Sequence, residues 1–219
     1  RLKIRAELTA RASTQSFESL LSSWTRQYGS EASPILMDLA QSRQLPDSDR
    51  YIALMGAAKI GGSRIAQPIS GLLKDSSWML RLGALRALGS LSAQDQGQNI
   101  LPLLKDPALV VRLEAITTLA RLKPKGSAEA LIDMLTRSEN YHRGKAQWVP
   151  ERALAALTEF KAAPLAYRLA PLLDHRSDPN LQKAAIRTLE RLTGHVTAKG
   201  TSLVAQTSEW KRYLVTFEP

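Results

Sequence analysis

Three histidines, His142, His175 and His195, are the residues of this chain best suited to proton transfer or metal ligation. No two of them lie within helical reach of each other in sequence. His175 sits in "LLDHRSDPN" beside Asp174 and Asp178, where turn formation and helix capping explain the cluster. His195 falls in a loop after a helix end. The chain has no cysteine, so thiolate nucleophiles, thiolate metal sites and disulfides are all excluded. The carboxylates Asp47 and Asp49 lie in a polar linker, where nothing tunes them as acid and base. No nucleophile elbow, phosphate loop or dinucleotide fingerprint is present, and "GGSRIA" from Gly61 is too short to cradle phosphates. The expectation is no catalytic residue, no metal ligand and no cofactor.

Binding chemistry is better represented. The stretch "SENYHRGKAQW", Ser138 to Trp148, places Tyr141, His142, Arg143, Lys145 and Trp148 within eight positions. Aromatic residues beside cations suit an anchor for a protein or for a phosphate-rich polymer. The alternative is a solvated loop with Trp148 tucked into the core of the following element. Trp78, in a turn, divides in the same way.

The elements that must carry these residues repeat. The apolar triplet i, i+3, i+4 occurs at Ile69, Leu72, Leu73, then at Ile100, Leu103, Leu104, then at Leu131, Met134, Leu135, and at Leu169, Leu172, Leu173; the steps are 31, 31 and 38. That spacing is one face of a helix. A second pattern runs Ala53, Leu54, Ala57, then Ala84, Leu85, Leu88, then Ala115, Ile116, Leu119, then Ala153, Leu154, Leu157, and Ala185, Ile186, Leu189, with steps of 31, 31, 38 and 32. Both patterns contain the same insertion of seven residues, and those residues fall in the Ser138–Trp148 stretch. Insertions in a solenoid map to loops, often on the binding face. Each unit reads as two antiparallel helices of about three turns joined by a short turn. Ser63, Ser92 and Ser127 are placed as N-caps, Gly62, Gly126 and Gly194 as left-handed helix ends, and Pro107 and Pro179 as first-turn residues of second helices.

The phrases "LLKDSSWMLRLGALRALGSL" and "LLKDPALVVRLEAITTLARL" resemble the HEAT family, in particular the HEAT-like repeats of phycobilin lyases. The resemblance covers about Glu31 to Leu192. It implies an all-α fold without a sheet, a right-handed α-α superhelix of four to five helical hairpins. The segments 1–30 and 195–219 then act as caps around repeats 31–194, in one continuous domain. It further implies a ladder between the turn Asp and the second-helix Arg: Asp75 with Arg81, Asp106 with Arg112, and Arg50 in the same column. Pro150 and Gln182 interrupt that column. The closing "LTG…W" segment is similar to that of some exported bacterial HEAT-like proteins. That likeness, with a first residue that is Arg rather than Met, leans toward a periplasmic or secreted location with a leader removed.

The formal charge of +10, 30 basic against 20 acidic residues, suits an acidic partner. The outward columns of the second helices carry Arg121, Arg152, Arg187 and Arg191, but acids interrupt them, Glu114 and Glu159 among them. A duplex footprint requires a continuous basic stripe. The function expected is a non-catalytic scaffold that binds another protein through its concave surface and the insertion. The rivals are nucleic-acid binding, as in the HEAT-like alkyl-purine DNA glycosylases, and a chaperone resembling the phycobilin lyases. No apolar run approaches the roughly 20 residues that span a bilayer.

Overall fold

The computed structural model describes residues 2–10 and 16–217. Arg1, residues 11–15, Glu218 and Pro219 lie outside the described residues, and with them parts of both segments expected as caps. The contacts divide the chain into two units, Arg1–Leu103 and Leu104–Pro219.

The first unit contains α1 (Leu2–Thr9), α2 (Phe17–Tyr28), α3 (Ala32–Gln41), α4 (Asp47–Gly61), α5 (Ala66–Gly71) and α6 (Trp78–Ser90). The expected N-terminal helical face is directed inward at Leu20 and Trp24, both buried, and the Trp24 indole N–H donates to Glu7 Oε2 at 3.0 Å. Small residues let the helices approach. A Cβ built at Gly83 of α6 would stand 2.9 Å from both Leu54 Cδ2 and Tyr51 Cδ2 of α4. Gly83 is therefore a point of close helix contact.

The second unit contains α7 (Leu109–Leu122), α8 (Ser127–Met134), the strands β1 (Tyr141–His142) and β2 (Lys145–Ala146), α9 (Trp148–Leu157), α10 (Pro179–Thr193) and α11 (Leu203–Leu214). The all-α expectation holds for every repeat. The insertion, expected as a loop, is instead an antiparallel hairpin pairing Tyr141 with Ala146 and His142 with Lys145.

The repeating seam is the core of both units. All twelve residues of the four triplets are buried, and so are the Ala and Leu or Ile positions of the second helices, including Leu88, Leu119 and Leu157 at 0% exposure. The first element is less regular than expected. In two repeats it is a 3-10 run, Gln94–Lys105 and Ala163–Asp174, with Pro102 and Pro171 inside. Each proline lacks the N–H that an α-helical turn would use, and its ring crowds the preceding turn.

Helix ends follow local chemistry, with corrections. Ser63 lies inside a 3-10 turn, Ser92 adopts φ +50°, and Ser127 follows the cap residue Gly126 and turns its hydroxyl to Pro124 O at 2.7 Å. The side-chain caps are Ser16, Asp178 and Ser202, which accept from the N–H groups of Ser19, Leu181 and Ala205. Gly62, Gly126 and Gly194 do take positive φ, and Pro179 does open α10. Pro107 precedes the cap of α7, Ala108, because α7 starts only at Leu109.

Candidate functional site

The insertion is held in place from both sides. Arg143 and Gly144 form its turn with φ of +49° and +74°, the two successive positive values that a two-residue hairpin turn of this hand demands. The Tyr141 hydroxyl donates to Leu135 O, back toward α8. On the other side the hairpin docks on the turn before α10. Ala146 N–H donates to Asp178 Oδ2 at 2.8 Å, Ser177 Oγ donates to Gly144 O at 2.8 Å, and the Tyr141 and His175 rings stack with centroids 5.0 Å apart. Asp178 thus serves the hairpin with one oxygen and caps α10 with the other, which accepts from Leu181 N–H at 3.1 Å. At the base, Asn140 is fully buried, its side-chain amide donating to Met134 O at 2.9 Å while its backbone carbonyl accepts from Gln147 N–H at 2.8 Å.

These contacts separate the proposed anchors. Tyr141 is half-buried and structural; burial, assisted by the negative charge of Asp178, pushes its phenol up to about 12. His142, Arg143 and Lys145 are exposed on the hairpin. Trp148, the first residue of α9, is 70% exposed, so it is not tucked into a core. His142, Gln147, Trp148 and Glu151 line a shallow cavity of about 410 Å³.

Beside it lies a longer cleft of about 460 Å³ between α9 and α10. Leu154, Ala155 and Ala184 form its floor, and Arg187, Arg191, Glu151 and Glu190 supply its charge. The helices meet at its base, where Thr188 Oγ1 reaches Leu154 O at 3.4 Å. Glu151 lines both cavities, so the hairpin side and the cleft are one continuous surface within this unit. The structure therefore brings together His142, Trp148, Arg187 and Arg191. Arg152 is exposed on α9 but lines neither cavity, and Arg121 lies on α7. One residue absent from the expectation lines both cavities, Glu151, and Lys183 is exposed on α10 without lining either. Lys183 was legible: it stands four residues before Arg187 and eight before Arg191 on one exposed stripe.

The Asp and Arg columns are inward and structural in geometry. Arg50, with its side chain 4% exposed, pairs with the Asp75 carboxylate, donates through Nη1 to Asp47 Oδ1 at 3.1 Å, and donates through Nε to Ala40 O at 2.9 Å. Burial works to raise the Asp75 carboxyl, but Arg50, the Ser77 N–H and the charge of Arg43 outweigh it and hold it below the usual carboxylate value. Arg81 donates to the carbonyls of Asp75 at 2.9 Å and Ser76 at 3.0 Å. Arg112 does the same to Asp106 O at 2.7 Å and Pro107 O at 3.2 Å. Gln182, in the interrupted part of the column, donates to Leu173 O at 2.7 Å.

Among the described residues no group of three His, Asp or Glu side chains is arranged to hold a metal ion. His195 packs against the terminal helix: its ring stacks on Tyr213 at 4.1 Å, meets Trp210 edge-on at 4.9 Å, and its Nε2 lies 3.1 Å from Glu209 Oε1. No described helix is long and apolar enough to cross a membrane.

Comparison with known proteins agrees with the fold. The profile of the HEAT repeats matches residues 65–149. Among solved structures, the chain is similar to one described as the complex of CpcE and CpcF of phycocyanin lyase from Nostoc sp. PCC7120. The identity is 27% and the TM-score 0.58, over 74% of this chain; the chain spans 65% of the length of that one. No curated protein matches the sequence.

Proposed function

Because this chain is a HEAT-like repeat protein resembling a phycobilin lyase, we propose that it is a non-catalytic scaffold that binds another protein. The contact surface is the face of the second unit made by the hairpin, Trp148 and the α9–α10 cleft. The single observation that carries this reading is Trp148. A tryptophan left 70% exposed at the edge of a fixed hairpin is an unfavourable use of apolar surface unless something covers it. The hairpin needs no reordering to receive a partner, so little conformational entropy opposes binding. The similar solved chain comes from a complex of two proteins, which supports a protein partner here.

The test is affinity capture from the source organism with wild type, Trp148→Ala and a Trp78→Ala control. Trp148→Ala is expected to lose the captured partner, by about 2 kcal/mol or more for a buried aromatic anchor, while Trp78→Ala keeps it. A partner retained at full strength by Trp148→Ala refutes the surface.

The same likeness favours one second reading, a lyase-like chaperone acting on a pigment-bearing protein. It predicts that the captured partner gains covalently held pigment only when this chain is present. Absorbance of the denatured partner decides between the two.

A further inference from the structure

We propose that the partner lays an amphipathic helix along the α9–α10 cleft, with carboxylates on one flank of its apolar stripe and Lys or Arg on the other. This rests on the protein-binding reading above and adds the chemistry of the occupant.

The charge of the cleft is uneven: cations predominate along α10, and the α9 side presents the carboxylate of Glu151. On α10, Lys183, Arg187 and Arg191 are exposed at i, i+4 and i+8, one cation per turn, about 6 Å apart along the axis. Among the described residues none of the three has an ion-pair or hydrogen-bond partner. On α9, Glu151 is exposed on the facing flank, and Glu159 is exposed two residues past the end of that helix. The register of the repeats sets Glu151 level with Lys183, Ala155 with Arg187 and Glu159 with Arg191. Glu190, on α10 itself, is the second acid of the lining, and Arg152 is a cation beside Glu151.

Between the walls the floor is apolar and low. Ala155 and Ala184 keep it open where larger side chains would fill it, and Leu154 lies beneath. A trough with a small-residue floor takes a ridge of apolar side chains at i, i+3, i+4, i+7, which is what one helix face presents. A carboxylate every fourth residue on that helix matches the α10 stripe turn for turn. Trp148, at the N-terminal end of α9, meets the first apolar residue of the occupant. A nucleic-acid duplex fits worse, since its phosphates would face Glu151 and Glu159.

The experiment uses the full chain and a defined library. An Ala/Leu helix is displayed with each of its two flanking stripes randomised among Glu, Lys and Gln. Selection on the wild-type chain is expected to enrich Glu on one flank and Lys on the other. The best of these peptides is then expected to bind Arg187→Glu/Arg191→Glu about tenfold more weakly. Replacing the Glu flank of that peptide by Lys should restore binding to the double variant. All substituted side chains are exposed, so unchanged circular dichroism verifies the fold. Enrichment without charge bias, one sign on both flanks, no enrichment, or displacement of the peptide by duplex DNA each overturns the proposal. Failure here with a native partner still lost in Trp148→Ala rejects the helix alone. A native partner unaffected by Trp148→Ala rejects the surface itself.

Discussion

Asp75 faces Arg50 with almost no water on either side chain, at 7% and 4% exposure. Removing one member strands the other. Asp75→Asn is therefore expected to cost about 3 kcal/mol near neutral pH, the low end for breaking a buried pair, because Asp47 and Ala40 O still hold Arg50. The pH dependence has a fixed sign. The carboxyl lies below its ordinary value of 3.8 in the folded chain, so the stabilisation is complete above that value. It is lost as the pH falls through the lower folded value. Urea midpoints of wild type and Asp75→Asn should thus differ at pH 7 and converge as the pH falls below 3.8 through the lower folded value. A difference that stays constant in acid would mean that the ionised pair is not what stabilises this turn.

At the level of elements, the hairpin is the informative case. Gly144→Ala places a Cβ 3.3 Å from Ser177 Oγ at φ +74°, and is expected to destabilise the hairpin by about 1 kcal/mol. Arg143→Asn, at φ +49°, relieves the same backbone and is expected to tighten it. Hydrogen exchange of the Ala146 N–H reads both changes, faster in the first and slower in the second; equal rates would show that the turn does not limit opening. The hairpin was illegible because its turn is Arg-Gly, not Asn-Gly, and its strands are two residues each. The seams were legible because burial recurs at a fixed step, and every Ala and Leu of the pattern faces inward for that reason. The 3-10 runs were hidden because the triplets keep their spacing while Pro102 and Pro171 act only on the backbone. Of the residues lining the two cavities, Trp148, His142, Arg187 and Arg191 were candidates from residue type and position. The packing of Tyr141 was not legible, since its stacking partner His175 lies 34 residues away and no local pattern announces it.

For the whole molecule, the charge of +10 acts mainly at a distance. An acidic partner is drawn in through long-range attraction, which salt screens over about 8 Å at physiological strength. Raising the salt should therefore slow association with the captured partner and leave dissociation nearly unchanged. Rates measured across a salt series verify this; an effect carried by dissociation would place the charge inside the buried contact instead.

Asp178 starts α10 with one oxygen and receives the hairpin with the other. That double duty turns seven additional residues into a splice across two neighbouring hairpins of the stack. In an ordinary repeat array each hairpin touches only the next, and the ends can fray one at a time. Here the segment from α8 to the start of α10 has to open as a block, so trimming the insertion would not restore a plain repeat but leave the beginning of α10 without its strap.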